Sequence, residues 1–182
     1  ALAPISGVLA AGLIMLSGFH GQSDFMDPMC GSGTILIEAA MIAANIPANI
    51  NRDVFGFETW RDFDVDLYET IEEALIKGIR EVPVKIIGMD KDARTLDKAK
   101  TNIKEANLSE FIQVQQGDFF GSEKPSDGYW HLVFNPPYDE RLTLDDVAAF
   151  YGHIGNTLKR GYPGSQAWMI TSNEEALKSV GL

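Results

Sequence analysis

The chain has 182 residues, of which 45% are hydrophobic and 23% are charged, and its net charge is -11. This length is enough for one domain with a substantial core, and the negative charge argues against a domain that grips nucleic acid through phosphate contacts alone. The one cysteine, Cys30, excludes an intramolecular disulfide and favours a reducing compartment such as the cytoplasm.

The apolar segment over residues 1–18 is short, is interrupted by glycines and lacks a basic start. These properties fit neither a membrane span nor a signal peptide. We predict a buried helix over 5–16 instead. The chain begins at Ala1 and ends in NEEALKSVGL, an incomplete unit, so we expect a fragment of a longer protein.

Periodicity and turn residues predict strands that alternate with helices along the rest of the chain. Such an order implies right-handed crossovers and a mostly parallel sheet flanked by helices, which is an α/β fold. In these sheets ligands bind beyond the carboxyl ends of the strands, so we expect the functional residues there. The predicted strands are 24–27, 84–89, 112–115, 130–134 and 166–172, and the predicted helices are 34–45, 65–80, 92–106, 144–158 and 174–180.

The first strand end leads into a glycine-containing turn and an apolar helix, in the stretch DPMCGSGTILIEAA. Gly31 and Gly33 allow a ligand to approach closely, and Thr34 is placed to cap the helix. Asp27 precedes the glycines, where its carboxylate can meet a cationic amino group. A dinucleotide fingerprint would require a third glycine, which is missing. A plain strand-to-helix turn remains the alternative.

Two further strand ends carry an acidic residue. Asp90, in IIGMDKDA, stands where an acid bonds the two hydroxyls of a ribose; its alternative role is a helix N-cap, for which Asp92 competes. Asp118, in VQQGDFFG, can accept a hydrogen bond from an adenine amino group, with Phe119 against the ring. The alternative there is a turn aspartate followed by a core phenylalanine.

The strand over 130–134 runs into the stretch FNPPYDER. Asn135 offers one carbonyl acceptor and an amide donor pair. Pro136 and Pro137 fix the backbone and lack N–H groups, so a rigid segment can aim carbonyls into a cleft. Tyr138 adds a flat ring for stacking. Together they suit a planar group that bears an NH2, and the alternative is a strand-terminating turn with a surface tyrosine.

Other noticeable residues are interpreted as structural. His131 alternates with apolar residues in a strand and is predicted to be packed. Cys30 has no paired base nearby, so its place in the turn explains it better than a nucleophilic role does. An aromatic connection precedes the helix over 65–80, and we predict that its rings cover that helix or line an access groove; they are Phe55, Phe57, Trp60 and Phe63.

These motifs together resemble those of S-adenosylmethionine-dependent methyltransferases of the Rossmann-like class. DPMCGSGTILIEAA looks like their first motif, GMD like their ribose acid, GDF like their adenine contact, and NPPY like the mark of enzymes that methylate a planar nitrogen. APISGVLAAGLIMLSG and FETWRDFD look more narrowly like the RNA methylases that carry a THUMP domain. Bacterial members of that family methylate guanine N2 in large-subunit ribosomal RNA, and the resemblance covers nearly the whole chain.

The resemblance implies a Rossmann-like class I methyltransferase domain over 1–182, with S-adenosyl-L-methionine as cofactor, RNA as substrate, and neither a metal nor a membrane. It implies that the methionine end of the cofactor lies at Asp27 and the turn, its ribose at Asp90 and its adenine at Asp118 with Phe119. The implied cofactor site consists of Asp27, Cys30, Gly31, Gly33, Thr34, Asp90, Asp118 and Phe119, and the implied catalytic segment consists of Asn135, Pro136, Pro137 and Tyr138.

The chain departs from the family pattern at both ends. No THUMP-like region precedes Ala1, and the last strands of the fold would lie beyond Leu182. We therefore expect a catalytic core whose RNA-binding domain is absent, which reconciles an RNA enzyme with a charge of -11. Three alternatives stay open: adenine N6 methylation of DNA or RNA, glutamine N5 methylation of a protein, and a nucleotide-binding module without catalysis.

Overall fold

The structure is a computed structural model that describes residues 5–137 and 144–182. These residues form one sheet in the strand order β3-β2-β1-β4-β5, and all neighbouring strands are parallel. The predicted α/β fold with a parallel sheet is therefore confirmed. The strands are β1 (Asp24–Asp27), β2 (Ile86–Asp90), β3 (Ile112–Gln116), β4 (Trp130–Phe134) and β5 (Gln166–Met169).

Helices connect most of the strands and cover both faces of the sheet. Short 3₁₀ turns lie at Gly56–Thr59 and Lys178–Val180. The α-helices are α1 (Gly7–Leu16), α2 (Thr34–Ala44), α3 (Val65–Lys77), α4 (Ala93–Glu105), α5 (Leu144–Gly161) and α6 (Glu174–Leu177).

The sheet has a hydrophobic core on each face. Successive side chains of a strand pack in different cores, because neighbouring residues of a strand point to opposite faces. Phe25 and Ile86 belong to the core that contains residues of α1, α2 and α4. Met26 and Ile87 belong to the core that α5 covers. All five residues of β4 are buried, which explains why this strand is a continuous apolar run broken only by His131.

The strand order changes direction at β1. The chain proceeds outward from β1 through β2 to β3, then returns to place β4 and β5 on the other side of β1. Ligands of open parallel sheets bind at this switch point, beyond the carboxyl ends of the strands. The expected place for a ligand is therefore between the segments that follow β1 and β4.

Several predicted elements are longer than the observed ones, among them the last strand and the third helix. The last strand ends at Met169 and not at 172, because its partner Phe134 is the final residue of β4 and two prolines follow. The third helix ends at Lys77 and not at 80, and its C-cap is Gly78, a residue type with low helix propensity.

The N-terminal helix α1 is buried on one face only. Ala10 and Ile14 are fully buried, while Val8 and Leu16 are 86% and 76% exposed. The prediction of a buried helix is therefore wrong for the outer face. A segment that is apolar all round has no periodic signal to show which face packs. Among the residues that the structure describes, we find no helix whose length and hydropathy would let it cross a membrane.

Candidate active site

Three polar side chains come together at the carboxyl edge of the sheet. Asp27 ends β1, Asp90 ends β2 and Asn135 directly follows β4. Since β1 is hydrogen-bonded to β2 on one side and to β4 on the other, the three strand ends lie side by side. The residues predicted from three separate motifs are therefore neighbours at the switch point of the sheet.

The turn after β1 is held by an acid on each side. Asp27 Oδ1 accepts the N–H of Met29 at 3.1 Å, and Asp90 Oδ2 accepts the N–H of Gly31 at 3.0 Å. The N–H of Cys30 donates to a backbone carbonyl of β2 at 2.9 Å. These bonds join the turn to the ends of two strands, so its backbone is fixed before any ligand arrives.

The two glycines of the turn adopt left-handed backbone angles, with φ values of 55° at Gly31 and 83° at Gly33. A Cβ at Gly31 would meet no other atom within 4 Å, so the space beside it is open. Gly33 is the N-cap of α2 and offers no side-chain acceptor. The prediction that Thr34 caps the helix is wrong, because Thr34 is already the first helical residue and its hydroxyl lies 3.3 Å from that of Ser32.

Asp27 is an acid buried away from water, with 1% of its surface exposed. Burial, reinforced by the charge of Asp90 and opposed by the N–H of Met29, raises the pKa of Asp27 to about 8. At neutral pH the carboxyl group is therefore mostly protonated. A cationic amino group placed beside it would supply the missing countercharge and ionise it.

Cys30 lies in the same turn and is also buried. Burial, followed by the negative charges of Asp27 and Asp90, raises the pKa of the Cys30 thiol well above its usual value. The reactive thiolate is thus disfavoured at neutral pH, which agrees with a structural interpretation of Cys30.

The carboxylate of Asp90 is positioned by two backbone donors and does not cap a helix. Its Oδ1 accepts the N–H of Asp92 at 2.9 Å, in addition to the bond from Gly31. Asp92 is the N-cap of α4 and accepts the N–H of Arg94 at 2.9 Å. The alternative role of Asp90 as an N-cap is therefore wrong. Each of its oxygens keeps lone-pair capacity for a ligand hydroxyl.

The segment after β3 contains Asp118 and Phe119, which were predicted to contact an adenine. Asp118 is exposed and accepts the N–H of Phe120 at 2.9 Å, as a turn aspartate does. Phe119 is 2% exposed, and its ring packs 5.7 Å from Phe134 and 5.8 Å from Tyr162, measured between centroids. This ring has almost no surface left for an adenine, so the structure corrects the predicted contact: Phe119 belongs to the core.

Asn135 presents an acceptor that lacks a donor. Its Oδ1 is buried, and no hydrogen-bond partner for it is found within residues 5–137 and 144–182. A buried polar atom without a partner costs about 1–3 kcal/mol, which suggests that a ligand donor completes it. Pro136 is buried and Pro137 is half-buried beside it. Tyr138, the fourth residue predicted for this segment, lies outside the described residues.

Two supporting contacts were not predicted from the sequence. Asn102 of α4 donates to the Ser32 carbonyl at 2.9 Å and so anchors the glycine turn from a helix 70 residues away. His131 of β4 lies 2.7 Å from the hydroxyl of Ser17, the C-cap of α1. Neither pair has a local signal in the sequence, because each depends on how distant elements pack.

The whole chain matches a known family. Residues 1–181 match the model of the RMKL-like methyltransferase domain, UPF0020. The ribosomal RNA large subunit methyltransferase K/L of Vibrio campbellii is 39% identical over 98% of this chain. The match covers 26% of that relative, so the chain spans about a quarter of the length of the curated relatives it matches.

Solved structures with similar sequences share the fold over the full chain. SMU.472, whose crystal structure contains SAH, superimposes with a TM-score of 0.88 at 31% identity. A predicted N6-adenine-specific DNA methylase from Listeria monocytogenes gives a TM-score of 0.86 at 36% identity. Both comparisons cover 100% of this chain, and they cover 48% and 47% of the respective neighbours.

Proposed function

This chain belongs to the family of RMKL-like methyltransferase domains, and we propose that it transfers a methyl group from S-adenosylmethionine to the N2 amino group of guanine in RNA. The single observation that carries the choice of an amino group is the buried Oδ1 of Asn135, an acceptor that has no donor within the described chain. An exocyclic NH2 group on a planar ring is a donor that fits it.

The residues at the ends of β1 and β2 fit S-adenosylmethionine. Asp27 is a buried acid beside a turn with open space at Gly31, which suits the cationic amino group of a methionine moiety. Asp90 has a fixed carboxylate with free lone pairs, which suits the hydroxyls of a ribose. The open N-terminus of α2 suits an acceptor such as a carboxylate. Crystals of SMU.472 with SAH support this choice of cofactor.

Bound at these residues, S-adenosylmethionine would supply an electrophilic methyl group on a sulfonium. Asn135 then has two tasks on the target base. Its Oδ1 accepts a hydrogen bond from the NH2 group, which holds the base in place and draws lone-pair density back to the amine nitrogen. The Pro136 carbonyl is the second acceptor that we propose, and Tyr138 is proposed to stack on the base. Much of the catalytic effect comes from holding the amine in line with the methyl group.

The acidic surface of the domain indicates that it does not hold RNA unaided. A charge of -11 repels phosphates, and the curated relatives are about four times longer than this chain. We propose that an RNA-binding part of the longer protein supplies the basic surface, and that ribosomal RNA is the substrate, as the names of the relatives suggest.

The proposal is tested by nucleoside analysis after methylation in vitro. The longer protein that contains this chain is incubated with labelled S-adenosylmethionine and unmodified ribosomal RNA, and the digested RNA is analysed by mass spectrometry. We expect N2-methylguanosine, and we expect Asn135→Ala to lower its formation by about 10²- to 10³-fold, since an acceptor on the reacting group is lost. SAH affinity should stay within about threefold, because the role proposed for Asn135 is to hold the target base and not the cofactor.

The matched control is Asn156→Ala, which removes the same group from an exposed position of α5. It should leave both methylation and SAH binding unchanged. A thermal-shift experiment adds an independent readout: SAH should stabilise the chain and NAD should not. Undiminished methylation by Asn135→Ala, or stabilisation by NAD alone, would contradict the proposal.

A second candidate is methylation of adenine N6. The Listeria monocytogenes neighbour carries the name of an N6-adenine-specific DNA methylase and is 36% identical to this chain. Asn135 can hold the N6 amino group of adenine in the same way, because both amines are planar NH2 donors. The nucleoside analysis separates the two candidates, since methylation of adenine N6 predicts an N6-methylated adenine nucleoside in RNA or in DNA supplied under the same conditions.

A further inference from the structure

The helix α3 and the aromatic segment before it form a surface that the methyltransferase site does not use. Between them runs a cleft of about 570 Å³, which we call the aromatic groove. Its aromatic side consists of the four predicted rings, Phe55, Phe57, Trp60 and Phe63, so the prediction that they line a groove is confirmed. Two of them also contact the helix at Tyr68, with centroid distances of 5.8 Å from Phe57 and 5.6 Å from Phe63, but no residue of α3 is buried by the rings.

The groove is lined by apolar side chains that remain in contact with water. Leu67, Ile71 and Leu75 are 55%, 49% and 48% exposed, and Trp60 is 67% exposed. The three aliphatic residues are four apart, so they form a single stripe along α3 with a length of about 12 Å. No residue of α3 is buried. An exposed apolar surface of this kind marks a binding surface in soluble proteins.

The rim of the groove is acidic. Asp62, Asp64 and Glu72 are among its lining residues, and the rest of α3 adds acidic side chains of its own. Desolvation, and then the negative charges of Glu72 and Glu58, raise the pKa of the Tyr68 hydroxyl. The groove therefore combines apolar walls with a negative potential.

A guanidinium group already lies over the face of one aromatic ring of the groove. Arg52, which also lines the groove, holds its guanidinium carbon 5.2 Å from the ring centroid of Phe55. Such cation–π contacts favour arginine over aromatic faces. The neighbouring rings, Phe57 and Trp60, are 36% and 67% exposed and offer further faces to a cation from outside.

We propose that the aromatic groove docks a basic amphipathic helix from a partner protein. The apolar face of this helix would lie on the stripe of Leu67, Ile71 and Leu75, whose length matches two helical turns. Its lysine and arginine side chains would pair with the acidic rim, with one of them over Trp60. This binding function is separate from the methyltransferase site and does not depend on the proposed reaction.

The charge of the groove argues against two other occupants, a second copy of this chain and nucleic acid. In a symmetric dimer the same acidic rim would face its own copy, and like charges in contact destabilise such an interface. Nucleic acid would bring phosphates against Asp62, Asp64 and Glu72. A basic helix is the occupant that satisfies both the apolar walls and the negative rim.

The test uses two labelled peptides and fluorescence anisotropy. Both are designed helices of about 18 residues with leucine or tryptophan at positions i, i+3, i+4 and i+7; one has lysine and arginine at the flanking positions, and the other has glutamate there. We expect the basic peptide to bind with a Kd of roughly 1–100 μM and the acidic peptide to bind at least tenfold more weakly. Binding should also weaken as salt is added, because the rim contacts are screened.

Two variants localise the binding. Trp60→Ala and Glu72→Lys should each weaken the basic peptide at least tenfold, and both residues are exposed, so the fold should be retained, as thermal melting will show. The matched control is Glu105→Lys, the same charge reversal at an exposed position of α4, which should have a much smaller effect.

Four outcomes would overturn the proposal: equal binding of the two peptides, binding of neither, dimerisation in sedimentation that Trp60→Ala abolishes, or RNA binding that Trp60→Ala abolishes. None of these measurements requires methyl transfer. A failure of the proposed reaction therefore leaves the result on the groove unaffected, and the reverse also holds.

Discussion

Replacing Asp27 with asparagine should make the domain more stable at neutral pH and less able to bind its cofactor. The side chain is 1% exposed, and burial is the main cause that raises its pKa from 3.8 to about 8. Between these two values the folded protein holds a proton that the unfolded chain releases. Stability contributed by the protonated group is therefore lost as pH rises from about 4 towards about 8.

The magnitude follows from the linkage between proton binding and folding. Within that range each pH unit removes about 1.4 kcal/mol from the free energy of unfolding. From pH 5.5 to pH 7.5, both above the isoelectric point of about 4.6, Asp27 accounts for a loss of about 2–3 kcal/mol. Asparagine has nearly the same shape and does not titrate, so Asp27→Asn removes this loss.

The assay is urea unfolding of both proteins at several pH values, followed by tryptophan fluorescence. The other titrating groups are common to both proteins, so the difference between the two stability curves isolates Asp27. We expect the free energy of unfolding of the variant, relative to that of the wild type, to rise by about 2–3 kcal/mol between pH 5.5 and pH 7.5. Curves that stay parallel within about 0.5 kcal/mol, which is near the precision of the measurement, would refute the reasoning.

The same substitution should have the opposite effect on the cofactor site. A cationic amino group beside Asp27 favours the ionised carboxylate, so SAH affinity of the wild type should rise as pH increases towards about 8. Asparagine cannot supply that charge, and we expect SAH to bind at least about 30-fold more weakly, since removing one charged partner of a buried pair costs about 2–5 kcal/mol. Unchanged affinity would show that Asp27 does not hold the amino group.

Two further predictions concern the supports of the site. Gly33→Ala should lower the free energy of unfolding by about 2 kcal/mol, because φ is 83° there and the new Cβ would lie 3.3 Å from that of Ala99. The control Gly121→Ala, with φ of 79° and no atom within 4 Å of the new Cβ, should lower it by about 1 kcal/mol. Equal losses in urea unfolding would contradict a contribution from the contact with Ala99. The Ser17 hydroxyl donates to a carbonyl of α1, so it must accept its second hydrogen bond from His131 Nε2. Ser17→Ala would leave that nitrogen buried and unpaired, and should lower the free energy of unfolding by about 1–3 kcal/mol. A loss below about 0.5 kcal/mol would show that this bond does not stabilise the fold.

Much of the fold could be predicted from the sequence because the three central strands, β1, β2 and β4, are almost wholly buried. β1 and β4 occupy the predicted ranges residue for residue. β4 is an apolar run that is broken only by His131, and β1 ends at Asp27, directly before the glycine-containing turn. The prolines after Phe134 end β4 and, through the ladder, also end β5 at Met169. The C-terminal end of α3 was predicted less accurately, although Gly78 directly follows its last residue, Lys77.

The sequence by itself determined which residues stand at the strand ends. Asp27, Asp90 and Asn135 follow buried runs, and parallel strands of one sheet bring their carboxyl ends to one edge. This placement depends on local patterns and on a general rule of topology, so it required no knowledge of packing.

Only the tertiary structure decided what surrounds those residues. It buried Asp27 and so raised its pKa, turned the ring of Phe119 into the core, and made Gly33 rather than Thr34 the cap of α2. It also left the stripe of α3 exposed beside an acidic rim. Burial, desolvation and the orientation of a ring arise from contacts between segments far apart in the chain, and a local pattern carries no information about them.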